Sequence, residues 1–233
     1  MVCVNMFFAR HGQTDANAQL RLQGSGLNGP LSTIGRQQAS ALADGLRSQN
    51  LDMVVASGME RAIETARHVL VHYPGVELAT DARLNEISWG IMDGETFKVA
   101  DVLVQPVVEK WNSGDFDARI EKGESINDCR RRLLAAVSDI LLAVRKEGSR
   151  NVLVCMHGRV LRVLMAALVD KDMRKMQRYT HTNCCYHQIS VDLDMDDDSI
   201  IDLDKLVFEA VRIDVRDHLK SLEVDRPDTV DSV

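Results

Sequence analysis

The chain has 233 residues, of which 45% are hydrophobic, 27% charged and only 4% aromatic. That length can bury one large core without staples, and the composition excludes collagen-like, disordered and disulfide-dense proteins. The formal net charge of −7 argues against general nucleic-acid binding, and no run approaches ~18 apolar residues, so no membrane span is expected.

In chain order, residues 2–9 read as a buried first strand. No basic n-region precedes them and no small-residue cleavage site follows, so a leader peptide is not expected. Ser32 is placed to cap a helix over 33–49, with Ala39, Leu42, Ala43 and Leu46 on one face. A short strand over 53–56 turns at Ser57-Gly58 into a helix over 59–71, which the Pro74-Gly75 turn stops. Residues 76–79 suit another strand. A helix over 96–111 is interrupted by Pro106. Ile126, Leu133, Val137, Ile140, Leu141 and Val144 recur at helical spacing over 125–146, and Gly148 ends that run. A strand over 152–156 leads into a helix over 159–169. Residues 186–193 and 205–215 alternate apolar and polar, and the acidic run 194–204 joins them as a hairpin at the sheet edge.

This alternation predicts an α/β fold with a mainly parallel sheet, helices on both faces and an antiparallel edge strand. Without an internal repeat or linker, residues 1–233 are expected to be one domain. The charge is uneven: residues 192–233 hold 14 acids and 5 bases, while the rest of the chain is at +2. The acidic segment 192–233 is read as a hairpin and tail, part of that domain or appended to it. Five cysteines without zinc spacing or a C-x-x-C fit a reduced, cytoplasmic protein.

In open α/β sheets, ligands bind outside the carboxyl ends of the strands. The first strand ends in Arg10-His11-Gly12. The strand at 53–56 ends in Ser57-Gly58, with Arg61 one turn into the next helix. The strand at 152–156 ends in His157-Gly158. Two arginines and two histidines past three strand ends suit a phosphoryl group. Arginine offers a permanent cationic fork for its oxygens, and a histidine nitrogen can carry the group covalently. The helix N-termini behind two of these turns are expected to favour the same anion. The arginines would repel a divalent cation, so no metal is expected. Other patterns read as structure. Gly24, Gly26 and Gly29 match G-x-G-x-x-G without a preceding strand, which makes them a loop. His68 and His72 suit the last turn of a helix. Asp192, Asp194 and Asp196 begin like a calcium loop but lack its glycine and closing glutamate. His181, His187 and His218 have no partner legible in the sequence.

Ordered stretches of the chain resemble the histidine phosphatase superfamily, in its phosphoglycerate-mutase-like branch. They are RHGQTDAN at 10–17, RLQG at 21–24, PLSTIGRQQA at 30–39, SGMERAIETA at 57–66, LNEISWGIMDGET at 84–96, GES at 123–125 and VLVCMHGRV at 152–160. The resemblance covers roughly 7–183. It implies a three-layer α/β/α sandwich around a mostly parallel six-stranded sheet. It implies that His11 is the phosphorylated nucleophile and Glu86 the general acid and base. Arg10, Arg61 and His157 match the phosphate pocket, with Gly158 beside them, Asn17 matches a further donor, and Gln23 sits where phosphatase members line the substrate site. No cofactor is implied. The chain departs from the family in RHGQT for RHGET, in Lys122 before GES, and in Arg159 after His157-Gly158.

The activity implied is hydrolysis of a phosphomonoester, a small phosphorylated metabolite, through a phosphohistidine. The alternatives are a cofactor-dependent phosphoglycerate mutase or a catalytically weak phosphate-binding module. A mutase must exclude water with a basic segment that closes over the site. Between Glu95 and Gly123 this chain carries four bases against six acids, without paired arginines, which favours hydrolysis.

Overall fold

Successive strand residues point to opposite faces of a sheet, and here both faces are apolar. In β1 (Val2–Arg10), Val4, Met6 and Phe8 enter one core cluster while Phe7 and Ala9 enter another. β2 (Met53–Ser57) divides in the same way, Met53 and Val55 against Val54 and Ala56. β3 (Leu78–Asp81) lies outside β2, and β4 (Asn151–Met156) sends Val152, Val154 and Met156 to the first cluster and Leu153 and Cys155 to the second. β5 (Tyr186–Leu193) and β6 (Phe208–Val215) complete the sheet. The computed structural model describes residues 1–197 and 199–222. The parts of the predicted acidic segment at 198 and 223–233 lie outside the described residues.

Among the described residues, six strands form one sheet in the order β3-β2-β4-β1-β5-β6. β1, β2, β3 and β4 are parallel to their neighbours in that group, whereas β5 runs antiparallel to β1 and β6 antiparallel to β5. A short α1 (Asp15–Ala18) follows β1. Next, α2 (Thr33–Leu46) and α3 (Glu60–Leu70) cover the Phe7 face. α4 (Phe97–Asn112), α5 (Ile126–Glu147) and α6 (Gly158–Met165) cover the Phe8 face. The molecule is therefore a three-layer α/β/α sandwich.

The predicted caps at Ser32 and Gly148 are present: Ser32 Oγ accepts from Gly35 N at 3.0 Å, and Gly148 ends α5 at φ +74°. Ser125, where that helical run was expected to start, also forms a capping box with Asp128. Pro106 does not break α4. Its missing N–H would have bonded the carbonyl of Val102, which lies on the exposed side where water can serve. The predicted helix over 159–169 is α6 only to Met165, after which Ala166–Asp170 widens into a π-helical turn. The last strand starts at Phe208 rather than 205, because Lys205 N turns back to Asp202 O at 3.1 Å. The acidic run does join β5 to β6 as a hairpin connection.

The connection after β1 leads to the α2 face, and that after β4 leads to the α6 face, although β1 and β4 are neighbours. Such a reversal opens a crevice at the carboxyl ends of the two strands. His11 and His157 sit at its two sides.

Candidate active site

His11 is held through its main chain by both neighbouring strands. Its N–H donates to Met156 O at the end of β4, and its carbonyl accepts from Asn183 Nδ2 at 3.0 Å, just before β5. The ring is oriented by Gly12: His11 Nδ1 lies 2.7 Å from Gly12 O. A carbonyl only accepts, so Nδ1 carries the hydrogen and Nε2 keeps its lone pair.

Arg61 fixes the other side of that lone pair. Its Nε lies 3.2 Å from His11 Nε2 and 3.1 Å from His157 Nδ1. His157 therefore accepts at Nδ1 and donates from Nε2 to Ser57 Oγ at 2.7 Å. The two imidazole centroids are 5.1 Å apart. Arg61 spends its terminal nitrogens on the carbonyls of Leu27 and Gly24, at 2.9 and 3.0 Å. Burial, with Arg61 and then Arg10 nearby, pushes His11 well below the usual histidine range. His157 is pushed down likewise, by burial and then by Arg61 and His11. Burial holds Arg61 itself down to about 10.

Glu86 is positioned by two helices. Arg132 of α5 donates to the carbonyls of Arg83 and Asn85, both at 2.7 Å, and so clamps the loop that carries it. The carboxylate then accepts from Arg159 N at 3.2 Å and Val160 N at 3.1 Å, in the first turn of α6. The N-terminus of α6 is thus partly occupied: Glu86 takes Arg159 N and Val160 N, while Gly158, the first residue of the helix, lines the cavity. At α3, Gly58 N before the cap is bonded to Asn85 Oδ1 and Glu60 N, the first in the helix, to Asn28 Oδ1.

A cavity of about 80 Å³ lies among these groups, several times what one water needs. Of the sequence-predicted residues, Arg10, His11, Asn17, Gln23, Arg61, Glu86 and Gly158 line it, while His157 stands behind Arg61 and fully buried. Thr14 N can only donate, so the Asn17 atom facing it at 3.1 Å is oxygen, and the amide NH₂ is what Asn17 can offer a ligand. Gln23 Oε1 likewise accepts from Thr14 Oγ1 at 3.0 Å. Gly24 takes φ +52°, and a Cβ there would lie 1.7 Å from Asp93 Oδ1. Only glycine permits that approach, by which the 24–27 loop reaches Arg61.

Among the wall residues that sequence reasoning did not place in the site are Trp89, Arg159 and His181. The carbonyl of His181 accepts from Arg10 Nη1, and a Cβ on Gly158 would come within 2.9 Å of its ring. Burial, then Arg10, Arg162 and Arg159, keep its pKa well below the usual value. Its position was recoverable in principle. It precedes an antiparallel strand beside β1, so the start of that strand meets the end of β1. The guanidinium of Arg159 lies 5.8 Å from the Trp89 ring centroid and 5.9 Å from that of Trp111. The other four histidines are structural: His68 meets Ser40, His72 meets Asp44, His187 Nδ1 accepts from Asp214 N, and His218 meets Cys184 O and stacks on Tyr186. Among the described residues, no group of three or more His, Cys, Asp or Glu is placed to hold a metal ion.

A family profile described as the histidine phosphatase superfamily (branch 1) matches residues 6–196. A probable phosphoglycerate mutase GpmB of Yersinia enterocolitica is 29% identical over 190 residues, spanning 80% of this chain and 84% of its own. The structure of a mycobacterial glucosyl-3-phosphoglycerate phosphatase is similar over 92% of this chain and 100% of its own, at 25% identity and a TM-score of 0.78. The alpha-ribazole phosphatase of Shigella flexneri, 22% identical, shares the fold over 91% of this chain and 96% of its own, at a TM-score of 0.72. The chain belongs to branch 1 of the histidine phosphatase superfamily.

Proposed function

We propose that this chain, acting as one domain, is a metal-independent phosphoric monoester hydrolase that works on a small phosphorylated metabolite. His11 Nε2 attacks phosphorus in line, forming a P–N bond as the P–O bond to the leaving group breaks. Glu86, protonated, donates to the leaving oxygen. Glu86 then takes a proton from water, whose oxygen attacks phosphorus and releases His11 and phosphate. Arg10 and Arg61, with the amides of Asn17 and Gln23, stabilise the charge on the equatorial oxygens, and His157 completes the phosphate pocket by holding Arg61 Nε from behind. Gly158, which lines the cavity, belongs with these residues in binding the phosphate. The observation that carries this reading is the 2.7 Å contact from His11 Nδ1 to Gly12 O, which commits Nε2 as the nucleophilic nitrogen beside Arg61. Five cysteines outside any disulfide suit a reducing compartment, and we place the enzyme in the cytoplasm.

Hydrolysis is favoured over mutase chemistry because the segment after Glu86 is not a basic lid. Its helix α4 is anchored in the core by Val104, Val107, Val108 and Trp111. The names of the Yersinia relatives favour the second reading, a phosphoglycerate mutase. Two assays decide. With an aryl phosphate, His11→Ala is expected to cost at least ~10³-fold in turnover. No turnover in either form, with phosphate still bound, would instead indicate a binding module. With 3-phosphoglycerate and a trace of the bisphosphorylated acid, phosphate release should outpace interconversion, and the reverse order would make the enzyme a mutase.

A further inference from the structure

We propose that Asn183 is a positioning residue whose one side-chain NH₂ ties the nucleophile His11 to the phosphate donor Asn17, on the reading that those two residues act as given above. Asn183 is buried in the turn just before β5, 172 residues from His11 and 166 from Asn17. His11 O can only accept, so the Asn183 atom 3.0 Å from it is Nδ2. The same Nδ2 lies 3.4 Å from Asn17 Oδ1. An NH₂ carries two hydrogens, and here each has its own acceptor, one on the nucleophile's main chain and one on the pocket amide.

The turn that carries Asn183 is shaped around His11. Cys185 N donates to Thr182 O at 3.0 Å and closes it, which leaves Cys184 at the third position with φ +58°. That left-handed conformation favours glycine, and a cysteine holds it only where the surroundings fix it. The corner directs Cys184 N to His11 O at 3.3 Å, beside the Asn183 amide, while Arg10 N donates to Cys185 O at 3.0 Å. On the other side, Asn17 Oδ1 also accepts from Thr14 N at 3.1 Å. With Thr14 and Asn183 both donating to Oδ1, the Asn17 amide cannot turn over without setting its NH₂ against two donors. That NH₂ stays committed to the cavity, which Asn17 lines. Nucleophile and phosphate donor are thereby fixed relative to each other before a substrate arrives.

Asn183→Leu tests this, because leucine matches the amide in size and has no hydrogen to give. Calorimetry with inorganic phosphate is expected to show affinity about fivefold weaker, as for one lost hydrogen bond. Turnover of an aryl phosphate should fall about tenfold in kcat as His11 loosens. In an Asn17→Ala background the same substitution should change phosphate affinity less than about twofold, because the group it acts through is gone. A merely structural role would weaken binding equally in both backgrounds. Asn183→Ser, too short to reach either oxygen, repeats the comparison if the leucine variant does not fold. Phosphate affinity within about twofold of wild type, or an equal loss with and without Asn17, overturns the proposal. A wild type that binds phosphate without turnover would count against the hydrolase reading and not against this one.

Discussion

α3 and α6 both begin at the floor of the cavity, each directly after a parallel strand, yet their first turns are filled differently. At α3 the N–H groups of the turn into the helix and of its first residue go to neutral oxygens: Gly58 N to Asn85, Met59 N to Ser57 and Glu60 N to Asn28. α6 gives Arg159 N and Val160 N to the carboxylate of Glu86. A helix N-terminus favours negative charge, so the α6 turn is a stable seat for an acid. The α3 turn is left neutral, and α3 contributes a cation instead, Arg61 from its second residue. The contrast separates two jobs that would cancel if they shared one helix end. An acid is anchored on one helix, a cation on the other, and the two imidazoles lie between.

The sharpest way to break this division is at the acid. Glu86→Gln keeps acceptor oxygen for the α6 turn but can neither donate to a leaving group nor deprotonate water. Turnover on an aryl phosphate is expected to fall ~10²–10⁴-fold, with the fold intact by circular dichroism. An activity within a few-fold of wild type would remove Glu86 from the chemistry. Next in size is the cation. Arg61→Lys keeps the charge but cannot reproduce a planar fork that spans two imidazoles and two carbonyls. A loss of ~10²–10³ in kcat is expected, and a near-normal lysine variant would reduce Arg61 to a point charge. The smallest effect concerns stability in acid. His11 and His157 are kept neutral by burial and by Arg61, whereas in an unfolded chain they titrate near 6.5. Below that pH the unfolded state binds more protons. The stability these rings contribute is therefore complete above 6.5 and is lost as pH falls toward their depressed folded values. Melting temperatures from about pH 7 to 5 should decline, and His157→Gln should flatten the slope; equal slopes in both forms would contradict the neutral assignment.

Much of the site was legible because three strand ends carry it. His11, Arg61 and His157 each lie within a few residues of an apolar run, and local signals locate such runs well. The 50 residues from His11 to Arg61 and the 96 from Arg61 to His157 collapse once the parallel order is assumed. His181 escaped because β5 is antiparallel, so its beginning rather than its end meets the cavity. Arg159 stood out as a departure from the family, but nothing local showed that its guanidinium would lodge beside Trp89 and Trp111. Pro106 warned of a break in α4 that did not occur; Val102, whose carbonyl would lose that bond, lies on the exposed side of the helix.

By its order of residues alone, the chain determined its strands, its helix caps and which side chains would gather at the carboxyl edge of the sheet. These follow from periodicity and turn chemistry, which act over a few neighbouring residues. Only the tertiary structure decided which nitrogen of His11 keeps its lone pair, and that Glu86 takes two of the N–H groups at the start of α6. Those outcomes depend on hydrogen bonds that close only after distant segments have packed, and no short stretch of sequence contains both partners.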